Sequence, residues 1–223
     1  MPAIEQIQSR ARDAGVFLKE FFREFRDTGS ITPSSAALSN ALTRSLEQRT
    51  SREPLTILEV GAGTGPVSKA IARRMGTKDT LELVESNDRL ADRLQDLLID
   101  DDELAGVADR VSLHRARVEE LDRTERYDVI ISGLPFANFT AEEVREIMEA
   151  YFAMLRPGGT LSFYGYLGTK QIRAVAARRE DYLRQVRSGW VVDEYLARYG
   201  EADDRVIANV PPAWIHHLRK PLD

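Results

Sequence analysis

The run Ile57-Leu58-Glu59-Val60-Gly61-Ala62-Gly63-Thr64-Gly65-Pro66 constrains this 223-residue chain more than any other stretch. Ile57, Leu58 and Val60 supply the apolar residues that a strand buried on both faces requires. Gly61, Gly63 and Gly65 then remove side chains where the backbone must turn sharply and approach a ligand. Pro66 suits the first turn of a helix, where a missing N–H costs nothing. The spacing narrows the ligand. A dinucleotide fingerprint, G-x-G-x-x-G, would place its third glycine at position 66, where proline stands. The pattern is instead E-x-G-x-G-x-G, with Glu59 ahead of the turn.

A second acid follows at the right separation. Residues 80–85 read as the next strand, ending in Glu85 and then Ser86. A carboxylate at a strand end about 20 residues past a glycine turn is placed to accept both hydroxyls of a ribose. The plainer alternative is a doubly wound domain with tight turns and a solvated Glu85.

Together these residues resemble motif I of the class I S-adenosylmethionine (SAM) methyltransferases. The resemblance implies an α/β fold: a doubly wound, seven-stranded, mostly parallel sheet, Rossmann-like, with an N-terminal helical cap. Residues 1–50 would be the cap and 51–223 the methyltransferase domain. It also implies SAM as cofactor. Its methionine part would lie along Gly61, Ala62, Gly63 and Gly65, its ammonium near Glu59, and its ribose against Glu85 and Ser86. Many relatives contact the adenine with an Asp after the third strand. Here that place reads Ala116-Arg117-Val118-Glu119, which leaves backbone groups near Arg117 and Val118 for the role.

The fourth strand, 127–133, runs into Leu134-Pro135-Phe136. The carboxyl end of a central strand beside the glycine turn is where this fold performs its reaction. Nucleic-acid amino-methyltransferases carry N-P-P-[FY] or similar at this place. The segment Ser132-Gly133-Leu134-Pro135-Phe136 departs from that and is similar to the S-G-L-P of bacterial phospholipid N-methyltransferases. Two more segments resemble those enzymes: T-G-S-I-T-P-S-S at 28–35 and N-x-P-P-A at 209–213. The resemblance implies methylation of the phosphatidylethanolamine amine, with Ser132, Phe136 and Tyr164 at the reacting centre and Ser132 also beside the cofactor. Phe139 and Tyr166 would complete an aromatic surround that tolerates a methylated ammonium through cation–π attraction. No residue marks itself as a strong base.

Residues 3–26 read as an amphipathic helix whose apolar stripe ends in Phe21, Phe22 and Phe25. Such a helix either packs on the core as a lid, the commoner use, or lies in a membrane interface. The two uses are compatible. A further helix follows at 36–48, capped by Ser34 or Ser35. Beyond strand five, at 161–166, Lys170, Arg173, Arg178, Arg179, Arg184 and Arg187 stud a helix that is either simply solvated or faces anionic lipid. Two last strands are expected at 190–199 and 205–218, the second bulged or at an edge around its prolines.

The net charge of −5 argues against a general nucleic-acid binder. With no cysteine, disulfides, thiolate nucleophiles and Cys-ligated zinc are excluded. His114, His216 and His217 lack metal-ligand spacing, and the acidic run 100–103 reads as a solvated loop, so no metal is expected. No stretch is long and apolar enough to span a bilayer, and the N-terminus lacks a signal peptide's unbroken apolar core. The expected setting is cytoplasmic, peripheral at the inner membrane face. Expected partners are a phospholipid substrate and an anionic membrane surface, with no stable nucleic-acid partner. Two rivals stay open: a methyltransferase of a soluble amine or RNA adenine, and a SAM-binding membrane module without chemistry.

Overall fold

The computed structural model describes residues 36–49, 53–166, 179–207, 209 and 212–222. The expected helix at 3–26, with Phe21, Phe22 and Phe25, lies outside the described residues, as do Ser34, Ser35 and Lys170 to Arg178.

Strand β1 (Thr56–Val60) is the axis of the sheet. Ile57, Leu58 and Val60 are at most 2% exposed, as a strand covered on both faces demands. It pairs in parallel with β2 (Thr80–Val84) on one side and with β4 (Tyr127–Ser132) on the other. Strands β3 (Val111–His114) and β5 (Leu155–Tyr166) extend the parallel sheet outward. An antiparallel pair, β6 (Gly200–Val206) and β7 (Ala213–Arg219), completes the order β3-β2-β1-β4-β5-β7-β6. Consecutive strands first wind one way from β1, then the other from β4. The carboxyl ends of β1 and β4 therefore flank the switch point where such sheets bind ligands.

Side-chain alternation sorts the core into two layers. Leu58, Val60, Ile130, Leu161 and Phe163 face α6 (Ala141–Met154) and α7 (Arg179–Tyr199). Ile57, Leu83, Val129, Ile131 and Tyr164 share the other layer with α1 (Ala36–Leu42) and α3 (Pro66–Ala72). The predicted helix at 36–48 is divided. Thr43 Oγ1 donates to the Ser39 carbonyl at 2.8 Å, and α2 (Arg44–Glu47) begins afresh beyond it. Such back-bonding by Thr loosens a helix. Arg44 pairs with Asp204 on β6, and Arg49 with Asp79 at 2.6 Å. Asp79 also accepts the amides of Leu55 (3.0 Å) and Gly76 (2.6 Å).

Three expectations are corrected. Residues 190–199 belong to helix α7, not a strand. Val191, Tyr195 and Tyr199 recur every four residues and pack on the α6 layer, and that helical period overrides the β-propensity of Val191 and Val192. The expected strand at 205–218 is a hairpin: β6 ends at Val206, β7 starts at Ala213, and the proline segment joins them. The acidic run is not a bare loop. Asp101 caps α5 (Asp102–Ala105) by accepting from Glu103 and Leu104 amides at 3.2 and 3.3 Å, after α4 (Asp88–Asp100) ends. Arg156-Pro157-Gly158-Gly159 interrupts the pairing of β5 with β4 between Tyr127 and Val129, with Gly158 at φ 76°.

Candidate active site at the switch point

The glycine turn takes the conformation its composition anticipates. Gly61 and Gly65 sit at φ 71° and 86°, a region that side chains disfavour. The Gly61 amide donates to the Val84 carbonyl at 2.8 Å, which ties the turn to the end of β2. Ala62 and Gly63 are buried, and Gly65 leads into Pro66 of α3.

Glu59 and Glu85 lie on either side of this turn. Glu59 is 1% exposed, and its Oε2 has no hydrogen-bond partner among the described residues; Thr64 Oγ1 is likewise buried and unpartnered. Burial pushes the Glu59 pKa up to about 8, Ser68 pulls against the rise, and the Glu85 charge adds to it. Such a carboxyl gains from any cation brought to it. Glu85 is 7% exposed. Its Oε2 accepts the Gly63 amide at 3.0 Å and its Oε1 the Asn87 amide at 2.8 Å. Each oxygen keeps acceptor capacity beyond the one bond shown. Ser86, next to it, is exposed.

The adenine side differs from the simplest expectation. Arg117 is exposed, its amide already donates to Glu120 Oε2 at 3.0 Å, and its guanidinium pairs with Glu119 at 2.6 Å. Val118 is buried at 2% in the core. The Arg117 amide is thus engaged within its own turn.

At the end of β4, Ser132 is fully buried. Its Oγ accepts from Tyr151 Oη at 2.9 Å and from the Leu134 amide at 3.3 Å, which commits the hydroxyl to α6 and to the turn rather than to the mouth. Gly133 donates its amide to the Val60 carbonyl at 2.8 Å. Tyr164 Oη, from β5, donates to the Gly133 carbonyl at 3.4 Å, a long bond. Phe136 is 5% exposed and belongs to the core, its ring 5.2 Å from Phe163 and 6.5 Å from the half-buried Phe139. Tyr166 closes β5 opposite Ala213. The structure thus gathers Glu59, the glycines, Glu85, Ser132 and Tyr164 at one end of the sheet, while Phe136 supports it from below.

Residues 57–159 match the family model described as a methyltransferase domain. The fold is that of the class I methyltransferases. An O-methyltransferase of Bacillus cereus, in complex with SAH, superposes with TM-score 0.62 at 14% identity over 93% of this chain and 90% of that one. The O-methyltransferase TomG of Streptomyces achromogenes, in complex with SAM, gives TM-score 0.61 at 17% identity over 96% and 89%. In sequence, an ornithine lipid N-methyltransferase of Singulisphaera acidiphila is 28% identical, over 68% of this chain and 77% of that one. The donor set of this methyltransferase fold fits S-adenosylmethionine. The unpartnered, buried Glu59 oxygen suits an ammonium, the spare acceptor capacity of Glu85 suits two ribose hydroxyls, and the glycine turn needs no phosphate to satisfy it.

Tyr151 was not legible as a site residue in the sequence. The one available signal was a hydroxyl within the buried stripe Val144, Ile147, Met148, Tyr151, Met154, since a buried phenol seeks a partner.

Proposed function

We propose that this protein transfers a methyl group from S-adenosylmethionine to the amine of a membrane lipid headgroup, phosphatidylethanolamine and its methylated derivatives being the substrates that the S-G-L-P and N-x-P-P-A segments favour. The observation that carries the lipid reading is the similarity to an ornithine lipid N-methyltransferase. That name denotes another lipid, and both lipids offer a primary amine on a membrane-held headgroup. Phe21, Phe22 and Phe25 are the proposed insertion points into an anionic membrane surface, which keeps the protein peripheral. Among the described residues, no helix is long and apolar enough to cross a membrane.

S-adenosylmethionine supplies a methyl on a sulfonium: the amine lone pair forms the N–C bond as the C–S bond breaks, its electron pair goes to sulfur, and S-adenosylhomocysteine leaves. The chain's part is to hold and orient. Glu59 would hold the cofactor's ammonium, and Glu85 its ribose. The Gly133 carbonyl, at the end of β4, accepts a hydrogen bond from an N–H of the incoming amine and so turns its lone pair toward the methyl. Ser132 takes no direct part, because its hydroxyl is already engaged. The amine's surplus proton passes to water. His216 and His217 are committed elsewhere, to Asp203 at 2.7 Å and to Ser162 at 2.8 Å. The gain in rate then comes chiefly from positioning. Phe139 and Tyr166 are the proposed cation–π partners of the methylated product.

The test is incubation with methyl-labelled S-adenosylmethionine and three substrates in parallel: vesicles containing phosphatidylethanolamine, vesicles containing ornithine lipid, and water-soluble ethanolamine. Label in either lipid supports the reading and names the headgroup. Label in ethanolamine alone replaces it with a soluble amine methyltransferase, and binding of the cofactor without transfer replaces it with a binding module.

A further inference from the structure

We infer that Tyr151 is a positioning residue: through the Ser132 hydroxyl it fixes the Gly133–Leu134 peptide, and with it the carbonyl that receives the substrate amine. The inference rests on the amine-methylating reading of the site and adds a residue to it.

The geometry has three parts. Tyr151 Oη and Ser132 Oγ are both in fully buried residues and lie 2.9 Å apart. Ser132 Oγ also accepts the Leu134 amide at 3.3 Å. That amide belongs to the same peptide group as the Gly133 carbonyl, which Tyr164 Oη approaches from the opposite layer at 3.4 Å. One peptide plane is therefore held at its N–H end from the α6 layer and at its C=O end from the α1 and α3 layer. Without these holds a glycine-centred peptide has wide rotational freedom. A rotation of that plane would swing the carbonyl away from the amine while leaving the fold intact.

Tyr151 suits the task because its phenol keeps a proton to donate to Ser132. Burial pushes its pKa well above the ordinary tyrosine range, so the phenol stays protonated. Its hydroxyl occupies one Ser132 lone pair, which leaves the other for the Leu134 amide. This also explains why a serine stands where the nucleic-acid enzymes carry asparagine: its side chain orients the peptide and does not itself bind the substrate.

The experiment compares Tyr151→Phe with Tyr127→Phe. Both delete a phenol hydroxyl from a fully buried tyrosine, but Tyr127 is the first residue of β4 itself, and its Oη bonds Glu82 at 2.9 Å, at the end of the strand away from Ser132. With the aminolipid that the wild type methylates, Tyr151→Phe lowers kcat about three- to tenfold, as expected for loss of one hydrogen bond. Its cofactor Kd stays unchanged, and so does the kcat of Tyr127→Phe. Adding Ser132→Ala to Tyr151→Phe costs less than Ser132→Ala does alone, since the two hydroxyls act in series. Independently of turnover, the Leu134 amide exchanges its hydrogen faster in Tyr151→Phe and at the wild-type rate in Tyr127→Phe. A wild-type kcat and wild-type Leu134 exchange in Tyr151→Phe overturn the inference, as do equal losses of kcat in both variants. If the wild type methylates no amine, the functional reading fails by itself, and the Leu134 exchange still decides whether Tyr151 holds the peptide.

Discussion

A Cβ added to Gly133 would stand 2.6 Å from the Gly61 carbonyl oxygen. The glycine turn after β1 and the turn at the end of β4 therefore touch backbone to backbone. Leu134 closes the same contact from its other end, since a Cβ on Gly61 would meet Leu134 Cδ2 at 2.8 Å. The separation of the two turns is set by the lack of two side chains, and under the proposed function it is the separation of cofactor and substrate.

Gly133→Ala tests that spacing. The obstacle is backbone rather than a yielding side-chain tip, so the two turns must move apart. Stability should fall by about 1–3 kcal/mol, the ordinary cost of overpacking. Turnover should fall further, by at least about tenfold, because misplacement at a reacting centre is amplified. Urea unfolding and initial rates measure the two effects; unchanged turnover in a destabilised variant would remove the spacing argument.

Glu59 makes a prediction about pH. Its folded-state pKa, about 8, lies above the ordinary glutamate value of 4.5. Its contribution to stability is therefore fully present below about pH 4.5 and is lost as pH rises toward 8. Burial of the charged form is the cause. Glu59→Gln, which keeps the shape and cannot ionise, should be favoured over the wild type increasingly as the pH climbs through that window. The measurement is ligand-free unfolding of both proteins at several pH values, with the difference taken at each. Subtraction cancels the opposite trend from His217, whose pKa burial lowers. A difference that does not vary with pH contradicts the assignment.

The two cation pairs that fasten the segment before β1 should differ in worth. Arg44 and Asp204 are 47% and 24% exposed, so solvent screens the pair and Arg44→Ala should cost little. Asp79 is 2% exposed, and Arg49→Ala leaves that carboxylate without its cation. The cost should approach the 3–5 kcal/mol of a broken buried pair, reduced by the two amides that Asp79 keeps, to about 2–3 kcal/mol. Thermal or urea unfolding ranks the two variants; equal costs would mean that burial does not set the value of these pairs.

The parallel half of the sheet was legible because its strands are covered on both faces and read as apolar runs bounded by glycine and acid. The placement of Glu59 and Glu85 beside the glycine turn was legible for a related reason, since each stands at or next to the end of an apolar strand run. Residues 190–199 were misread because Val191-Val192 and three aromatics imitate a strand locally, while the four-residue recurrence of Val191, Tyr195 and Tyr199 emerges only over two turns. Ser132 was placed correctly at the end of β4, but its partner lies 19 residues on, across a helix, and no local pattern reveals which way a hydroxyl points. The pairing of Tyr151 with Ser132 is a product of α6 packing on β4, and only the folded chain states it.

The central claim is that the turn between Glu59 and Glu85 holds an S-adenosyl compound. Isothermal titration of the full chain with S-adenosylmethionine and with S-adenosylhomocysteine tests it most directly. The account predicts one-to-one binding of both, weakened at least about tenfold, or about 1.4 kcal/mol, in Glu85→Ala through loss of the ribose contacts. No binding to the wild-type protein, or equal affinity in Glu85→Ala, would contradict it.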